Sequence, residues 1–414
     1  MKSVKDIKVS AKRVMVRVDY NLPMDENLNI TDDNRIRETL PLINYLLENN
    51  AKIILISHMG RPKGKVVPAL SLKPAATRLS ELLLKRNAKV EGDVKMQTVN
   101  FISDCIGGEV EKKVSELKDG EILLLENLRF HEGEKTSDPD FVKQLASLCD
   151  VYVNDAFAVS HRKEASVTAL PMMVKESVAG FLLEKELQCY SDAIKNPVRP
   201  LVAIIGGAKV SSKLAALQNM LNCVDTLIIG GAMANTFLKS QGIDVGASMV
   251  EEELVETASK IIKEAKEKGV RLQLPIDLVF ASKFDKDAEK MTIDIGGKDD
   301  SQTTPTEGWM ALDIGEKSAK MFADLIAGAK TIVWNGPMGV FEMERFCNGT
   351  RAISKTIAES GAFSVVGGGD TGLAAKVCGV ENKVSYISTG GGAFLHLMEG
   401  KELPAVVALE NGKF

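Results

Sequence analysis

Arginine and histidine side chains follow the apolar runs in the first half of the chain. These runs lead into VRVDYN (16–21), ISHMGRP (56–62), LENLRFHEGE (125–134) and NDAFAVSHR (154–162). Nine of the thirteen arginines and three of the four histidines lie in residues 1–170. A guanidinium group is planar and binds phosphate or carboxylate through two parallel hydrogen bonds. This half therefore predicts an anion site built from cationic side chains.

The candidate residues of this site share a position at or after a predicted strand. They are Arg17, Asp19, Asn21, Arg35, His58, Arg61, Arg129, His161 and Arg162. Any one of these cations is more commonly a surface charge, but parallel strands bring their carboxyl ends to one edge. Asp19 and Asn21 could bind substrate hydroxyls or orient the arginines. His131 is interpreted as structural.

Glycine clusters take the same position in the second half. The runs read VAIIGGAK (202–209), TLIIGGAM (226–233), TIVWNGPMG (331–339), FSVVGGGDTG (363–372) and VSYISTGGGAF (384–394). Glycine lets backbone N–H groups approach an anion closely, and a following helix N-terminus adds positive potential. The pattern predicts a surface that binds a polyphosphate.

Four residues near these clusters have two interpretations each. Lys209 and Lys213 would share one helix face, either around an anion or as a solvated face. Asp370 could bind Mg²⁺ beside a triphosphate or cap a helix, and these roles are compatible. Glu342 is a candidate acceptor for ribose hydroxyls or an exposed acid in a turn.

Strand and helix patterns alternate along the chain and predict parallel sheets covered by helices. Strands are expected near 14–19, 52–57, 97–102, 121–126, 150–154, 201–205, 226–230, 271–274, 331–334, 363–366 and 385–388. Helices are expected in the first half near 36–49, 71–86, 107–117 and 138–148. Because 414 residues exceed the usual size of one core, we expect two domains. One long helix over 172–195 is predicted to connect them.

Composition excludes several classes of protein. The net charge of −4 does not suit a nucleic-acid binder, and no apolar run reaches the length of a membrane span. The six cysteines lack metal-ligand spacing, and the first 30 residues lack an apolar signal-peptide core, so a cytoplasmic protein with reduced thiols is expected. A dehydrogenase is disfavoured because no acidic residue follows GGGDTG at the distance that ribose binding needs. A non-catalytic phospholigand sensor would keep the glycines but lose Arg35, Lys213 or Asp370.

Eight motifs in order make the chain resemble phosphoglycerate kinases over nearly its whole length. They are RVDYNLP (17–23), SHMGRPKG (57–64), LLENLRFHEGE (124–134), NDAFAVSHR (154–162), GGAKVSSK (206–213), WNGPMGVFE (334–342), GGGDTG (367–372) and STGGGAF (388–394). The resemblance implies an α/β fold of two doubly wound, Rossmann-like parallel-sheet domains that face each other across a hinge-bending cleft. It assigns 1–170 to phosphoglycerate binding, 171–195 to an inter-domain helix, 196–390 to nucleotide binding, and 391–414 to a hinge and a tail that returns to the first domain.

The same resemblance implies reversible transfer of the acyl phosphate of 1,3-bisphosphoglycerate to MgADP by a cytoplasmic monomer. Phosphoglycerate would be held by Asp19, Asn21, Arg35, His58, Arg61, Arg129 and Arg162. Nucleotide would be held by Gly206, Gly207, Lys209, Lys213, Asn335, Glu342, Gly367, Gly368, Gly369, Asp370 and Thr371. Catalysis is expected from Arg35, Lys213, Gly368 and Gly369, and Mg²⁺ binding from Asp370. The sequence departs from the family pattern at Ser211, Ser212, Ala232 and Asn235.

Phosphoryl transfer of this kind needs no general base, because the accepting carboxylate is already ionised. Catalysis then consists of positioning the reactants and neutralising charge on the transferred group. Arg35 and Lys213 are the residues expected to neutralise it. Because they belong to different predicted domains, domain closure is also expected, with hinges at 172–195 and near 390–395.

Overall fold

The computed structural model describes residues 1–87, 98–295 and 305–411. The chain divides into two compact units. Unit 1 comprises Met1–Leu187 and the C-terminal segment from Glu402, and unit 2 comprises Gln188–Lys401.

Unit 1 contains one six-stranded sheet in which every pairing is parallel. Its strands are β1 (Arg13–Arg17), β2 (Lys52–Ile56), β3 (Val99–Phe101), β4 (Ile122–Leu124), β5 (Val151–Asn154) and β6 (Ser177–Ala179). The strand order is β3-β4-β2-β1-β5-β6. The chain therefore reverses its winding direction between β1 and β5, which is where ligands bind in open α/β sheets.

Helices accompany this sheet and bury its apolar side chains. They are α1 (Asn34–Glu48), α2 (Lys73–Asn87), α3 (Gly108–Ser115), α4 (Gly133–Thr136), α5 (Pro139–Ser147), α6 (Leu170–Met173) and α7 (Phe181–Tyr190). Local sequence explains the start of α5: the Asp138 side chain accepts a hydrogen bond from Phe141 N at 2.9 Å, and Pro139 occupies the first turn.

Unit 2 contains a parallel six-stranded sheet and a small antiparallel sheet. Its strands are β7 (Leu201–Ile205), β8 (Thr226–Ile229), β9 (Arg271–Gln273), β10 (Asp277–Ala281), β11 (Lys290–Asp294), β12 (Met310–Ile314), β13 (Thr331–Asn335), β14 (Phe363–Val366) and β15 (Tyr386–Ile387). The parallel sheet has the order β15-β14-β13-β7-β8-β9, and its winding reverses between β7 and β13. All five residues of both strands are buried, as expected for a sheet covered on both faces.

The helices of unit 2 follow its strands in sequence. They are α8 (Leu214–Met220), α9 (Met233–Ser240), α10 (Val255–Glu267), α11 (Glu316–Ala327), α12 (Asn348–Glu359), α13 (Gly369–Val377) and α14 (Gly391–Met398). The last helix, α15 (Pro404–Asn411), lies in unit 1, where Ala405 N donates to Ser160 O at 3.1 Å. Residues 412–414 of the predicted tail lie outside the described residues.

The predicted α/β class with two parallel sheets is confirmed, but one prediction about the elements is wrong and one sheet was missed. Residues 172–195 do not form one helix, because β6 interrupts them and pairs with β5. Asp155 Oδ1 accepts the Leu182 N–H at 2.7 Å and fixes the start of α7. Gly180 leaves room for this carboxyl group, since a Cβ at that position would lie 2.4 Å from Asp155 Oδ1. The antiparallel sheet was not predicted, because β11 alternates exposed and half-buried residues around one buried position.

Throughout the described ranges, no helix combines the length and apolar character that a membrane crossing requires.

Candidate active site

The carboxyl edge of the unit 1 sheet brings together four guanidinium groups around one imidazole. We call this set the basic edge, and it consists of Arg17, Arg35, His58, Arg129 and Arg162. Burial first, and then the positive charges of these four groups, hold the pKa of His58 well below its ordinary value. The imidazole is therefore neutral at physiological pH, and the cationic character of the basic edge comes from its arginines.

Asn127, in the loop after β4, fixes two loops of the basic edge. Its side-chain amide donates to Met59 O at 2.8 Å, and its oxygen accepts from Met59 N at 3.1 Å. The same oxygen accepts from Arg129 N at 3.1 Å. Because Met59 adjoins His58, one buried amide sets the backbone positions of His58 and Arg129 together.

Arg17, the last residue of β1, is fully buried and held by several partners. Its Nε donates to Ser166 Oγ at 2.9 Å, and its Nη2 lies 3.2 Å from His58 Nδ1. Ser166 in turn donates from Oγ and N to the buried Glu134 carboxyl at 2.6 and 2.9 Å. Burial raises the pKa of Glu134 to about 7, although the nearby Arg17 and the bonds from Ser166 oppose that rise. Arg17 thus belongs to the support of the edge.

Arg35 is oriented by an acidic partner at the edge. Its Nη1 donates to Asp19 Oδ2 at 2.5 Å, and its side chain remains about a third exposed. Asp19 also accepts the Asn21 N–H at 3.1 Å, and Asn21 Oδ1 accepts the Gly60 N–H at 2.9 Å. Asp19 therefore orients Arg35, and the Asn21 side chain anchors the loop after β2.

Arg129 and Arg162 share the buried carboxylate of Glu164. Arg129 Nη2 lies 2.8 Å from Glu164 Oε1, and Arg162 Nη1 lies 3.5 Å from the same oxygen. The Nε–H groups of both arginines are buried and have no hydrogen-bond acceptor within the described residues. A buried donor without an acceptor costs free energy, so these two groups suit an anionic ligand that would accept their hydrogen bonds.

Two other residues of the first half have different surroundings. Arg61 is exposed and follows Gly60, whose carbonyl oxygen accepts a hydrogen bond from Arg129 Nη1 at 2.7 Å. His131 Nε2 lies 2.7 Å from Asp104 Oδ1, and its ring packs against Phe141.

In unit 2, the loops after β7 and β13 touch at their glycines, where the winding of the sheet reverses. A Cβ on Gly206 would lie 2.1 Å from Pro337 O, and one on Gly336 would lie 2.2 Å from Gly206 O. Gly336 also has φ +111°, a conformation that side chains disfavour. Only glycine fits either position. We call the loops after β7, β13 and β14 the glycine-lined edge.

Lys213 holds its ammonium group against this edge. Its Nζ donates to Gly206 O at 2.6 Å and to Asn335 O at 2.9 Å. Burial lowers the pKa of Lys213 to about 8, while the negative charge of Asp370 opposes that change. The backbone of the two glycine loops therefore positions one cation beside the Asp370 carboxylate.

The third loop, GGGDTG, begins α13. Gly368 occupies the N-cap position with φ +98°, so Asp370 lies exposed in the first turn and does not cap the helix. Thr371 Oγ1 accepts the Gly336 N–H at 2.7 Å, and Asn335 Nδ2 donates to Gly367 O at 3.0 Å. Through these bonds the N-terminus of α13, which favours anions, is fixed to the end of β13.

Lys209 and Lys213 do not share a helix face, contrary to the prediction. Helix α8 begins only at Leu214, so both lysines precede it. The residues before the helix form a turn, in which Ser212 Oγ donates a hydrogen bond to Lys209 O at 2.7 Å. The side chains of Lys209 and Glu342 are exposed. Gly207 has φ +117°, and a Cβ at that position would lie 3.4 Å from Lys213 Nζ.

Comparisons with known proteins cover nearly the whole chain. The family model described as phosphoglycerate kinase matches residues 4–401. The chain belongs to the phosphoglycerate kinase family. A phosphoglycerate kinase of Desulforapulum autotrophicum is 62% identical over 410 residues, which are 99% of this chain and 100% of that protein.

Solved structures of family members have the same fold. Phosphoglycerate kinase from Coxiella burnetii superposes with a TM-score of 0.87 at 40% identity and covers 99% of this chain and 98% of its own. The enzyme from Pyrococcus horikoshii OT3 gives a TM-score of 0.82 at 32% identity, over 100% and 99% of the two chains. The predictions of an enzyme, a kinase and a nucleotide-binding protein are confirmed, and a dehydrogenase is excluded.

Sequence reasoning did not identify the residues that hold the basic edge in place. Glu134, Glu164 and Asn127 make the bonds described above, yet each reads as an ordinary polar residue near a predicted loop. One signal was available, because Glu164 follows Arg162 by two residues and Asn127 precedes Arg129 by two. A polar residue at such a distance from an arginine is a candidate for orienting it.

Proposed function

We propose that this protein transfers the acyl phosphate of 1,3-bisphosphoglycerate to MgADP, and catalyses the reverse reaction with 3-phosphoglycerate and MgATP. The observation that carries the proposal is that one chain offers two different sets of groups suited to anions. One offers the buried guanidinium donors of Arg129 and Arg162, and the other offers glycine loops around Lys213. A phosphorylated carboxylic acid suits the first site and a nucleotide polyphosphate suits the second.

Phosphoglycerate is proposed to bind at the basic edge. Arg129 and Arg162 would donate hydrogen bonds to its phosphate or carboxylate, because their Nε–H groups lack protein acceptors within the described residues. The neutral His58 would contribute a hydrogen bond, and the more exposed Arg61 would contribute long-range attraction. Asp19 and Asn21 would keep Arg35 and the Gly60 loop in position.

Nucleotide is proposed to bind at the glycine-lined edge. Its phosphates would lie against the glycine backbones, the N-terminus of α13 and Lys213. The exposed Lys209 and Glu342 are proposed to contact the phosphates and the ribose, respectively. Gly368 and Gly369 are proposed to donate their N–H groups toward the transferred phosphate.

The donor chemistry near Lys213 suits Mg²⁺. Asp370 offers one exposed carboxylate in the first turn of α13, and Mg²⁺ favours oxygen ligands supplied by one or two carboxylates together with phosphates. We propose that Asp370 would hold the ion, which would supply positive charge to the nucleotide phosphates.

Charge neutralisation is the proposed catalytic mechanism. The accepting carboxylate of 3-phosphoglycerate is already ionised, so no residue needs to remove a proton from it. The Arg35 guanidinium and the Lys213 ammonium would neutralise the oxygens of the transferred group. Lys213 can move to this task by exchanging its two carbonyl partners for phosphate oxygens.

Transfer requires contact between the two bound substrates. We propose that binding of both ligands brings the edges together and excludes water, which would otherwise hydrolyse the acyl phosphate. Small-angle scattering should show a smaller radius of gyration with both ligands than with either one alone. An unchanged radius would contradict closure.

The activity is tested by a coupled assay with 3-phosphoglycerate and MgATP on the purified chain. We expect turnover that depends on both substrates and on Mg²⁺, from a protein that elutes as a monomer. Membership of this family and the amino-acid composition of the chain also lead us to propose a cytoplasmic location. No turnover with a well-folded sample would contradict the proposed reaction.

A further inference from the structure

Asp104, Cys105 and His131 form a cluster of potential metal ligands in unit 1. One atom from each residue, a carboxylate oxygen, a sulfur and a ring nitrogen, lies within 4.8 Å of the other two. We propose that this cluster binds a divalent transition metal ion, with Zn²⁺ as the best chemical match. The proposed kinase activity does not depend on this site.

Separate segments bring the three ligands together. Asp104 and Cys105 lie between β3 and α3, whereas His131 follows the turn after β4. Asp104 O accepts the Glu126 N–H at 3.3 Å, which joins the two segments through their backbones. The His131 ring packs on Phe141 with centroids 5.6 Å apart, so its orientation is restricted. The ligand positions are therefore largely preorganised.

The ligand types select the metal class. Sulfur and imidazole nitrogen favour Zn²⁺, Co²⁺ or Cd²⁺, whereas Mg²⁺ and Ca²⁺ require oxygen ligands. Ligand distances of about 2.0–2.3 Å to a tetrahedral Zn²⁺ place the ligand atoms about 3.3–3.6 Å from one another. The hydrogen bond of 2.7 Å between His131 Nε2 and Asp104 Oδ1 must therefore open by less than about 1 Å to admit the ion. Asp104 and His131 are 53% and 33% exposed and Cys105 is 1% exposed, so a metal ion would enter from the side of Asp104 and His131 and keep a water there as its fourth ligand. The Cys105 thiol would release its proton to solvent as it coordinates the metal.

The test uses Co²⁺ as a spectroscopic substitute for Zn²⁺ on the full, reduced and chelator-treated protein. We expect a thiolate-to-cobalt charge-transfer band that saturates at one equivalent and disappears when Zn²⁺ is added. Cys105→Ser should abolish the band, and His131→Asn or Asp104→Asn should weaken Co²⁺ binding at least about tenfold. Circular dichroism establishes that each variant is folded.

A matched control is available in Cys149→Ser, which removes another buried cysteine of unit 1. This variant should keep the band at full strength. If Cys105→Ser fails to fold, the His131→Asn and Asp104→Asn variants decide the question. The proposal is overturned if the wild-type protein gives no band, if the band persists in folded Cys105→Ser, or if His131→Asn and Asp104→Asn bind Co²⁺ as tightly as wild type.

Discussion

The basic edge of unit 1 and the glycine-lined edge of unit 2 are proposed to bind anions through different parts of the chain. In unit 1 the donors are side chains, and buried carboxylates such as Glu164 hold them in position. In unit 2 the donors are largely backbone groups, and the absence of side chains at Gly206 and Gly336 allows the loops to touch. Substitution of the partly exposed Arg35 in unit 1 should therefore affect function with little loss of stability. Substitutions of the glycines should affect both.

The largest expected effect is that of Arg35→Ala. The Arg35 side chain bonds to Asp19 and is about a third exposed, so its loss should leave folding intact. A cationic group at a phosphoryl transition state contributes about 10³–10⁵ in rate, and we expect kcat to fall at least about a hundredfold. Steady-state kinetics and circular dichroism measure the two quantities.

Arg37→Ala is the control for Arg35→Ala. Arg37 lies on the same helix and pairs with Asp33 at 2.6 Å, away from the basic edge. It should retain nearly normal kcat. A similar loss in both variants, or a normal kcat in Arg35→Ala, would remove Arg35 from the catalytic role.

The second prediction concerns the pH dependence that Lys213 gives to the glycine-lined edge. Its pKa of about 8 means that the free enzyme loses the ammonium charge as the pH rises through that value. We expect kcat/KM for the nucleotide to fall about tenfold per pH unit above this pKa, since kcat/KM reports the free enzyme. Lys213→Met should have low activity without this decline. An identical decline in the variant would assign the titration to another group.

Gly336→Ala tests whether the glycine-lined edge couples binding to stability. The new methyl group would meet Gly206 O at 2.2 Å in a backbone conformation with φ +111°. We expect a loss of about 1–3 kcal/mol in the free energy of unfolding. The KM for nucleotide should rise, while the KM for 3-phosphoglycerate should not.

Gly361→Ala separates backbone strain from the close contact. Gly361 also has a positive φ, of +67°, but a Cβ there would have no atom within 4 Å. Its substitution should lower stability without changing nucleotide affinity. Equal effects of the two variants on nucleotide KM would mean that loop contact at Gly336 does not shape the site.

Glu134→Gln tests the buried carboxyl that supports the basic edge. Its pKa is raised to about 7, so the folded state binds more protons than the unfolded state between about pH 4.5 and 7. The free energy of unfolding of the wild type should therefore decrease as the pH rises across this window, by about 3 kcal/mol from this group. Urea unfolding at several pH values should show that Glu134→Gln lacks this component. Parallel curves for the two proteins would refute the assignment.

The smallest effect is expected for Arg61→Ala. Because Arg61 is exposed, we expect its contribution to be long-range attraction that salt screens. We expect the KM for 3-phosphoglycerate to rise a few-fold at low salt, with kcat unchanged. A loss as large as that of Arg35→Ala would place Arg61 within the catalytic site.

The parallel sheets were predictable because their strands are buried apolar runs that end at conspicuous residues. The residues VAII before Gly206 and TIVW before Asn335 lie in β7 and β13, which pair over their full length. Strand β6 was not predictable, since SVA is too short to distinguish from the helical pattern around it. Its pairing with β5 is a tertiary interaction that local sequence does not encode.

The candidate site was predictable in its residue types and less so in its contacts. Parallel strands with a common edge explain why His58 and Arg129 could be grouped from sequence alone. The support from Glu134 through Ser166 to Arg17 joins positions far apart in sequence, so no local spacing indicates it. The prediction that Lys209 and Lys213 share a helix face was wrong because it applied helical spacing to residues that form a turn before α8.

The division of labour between the two edges is tested most directly by calorimetric titration of two variants with each ligand. Arg129→Ala should lose most of its affinity for 3-phosphoglycerate and bind MgADP normally. Gly336→Ala should lose affinity for MgADP and bind 3-phosphoglycerate normally. If either folded variant weakens both ligands equally, or neither ligand, the assignment of one ligand to each edge is contradicted.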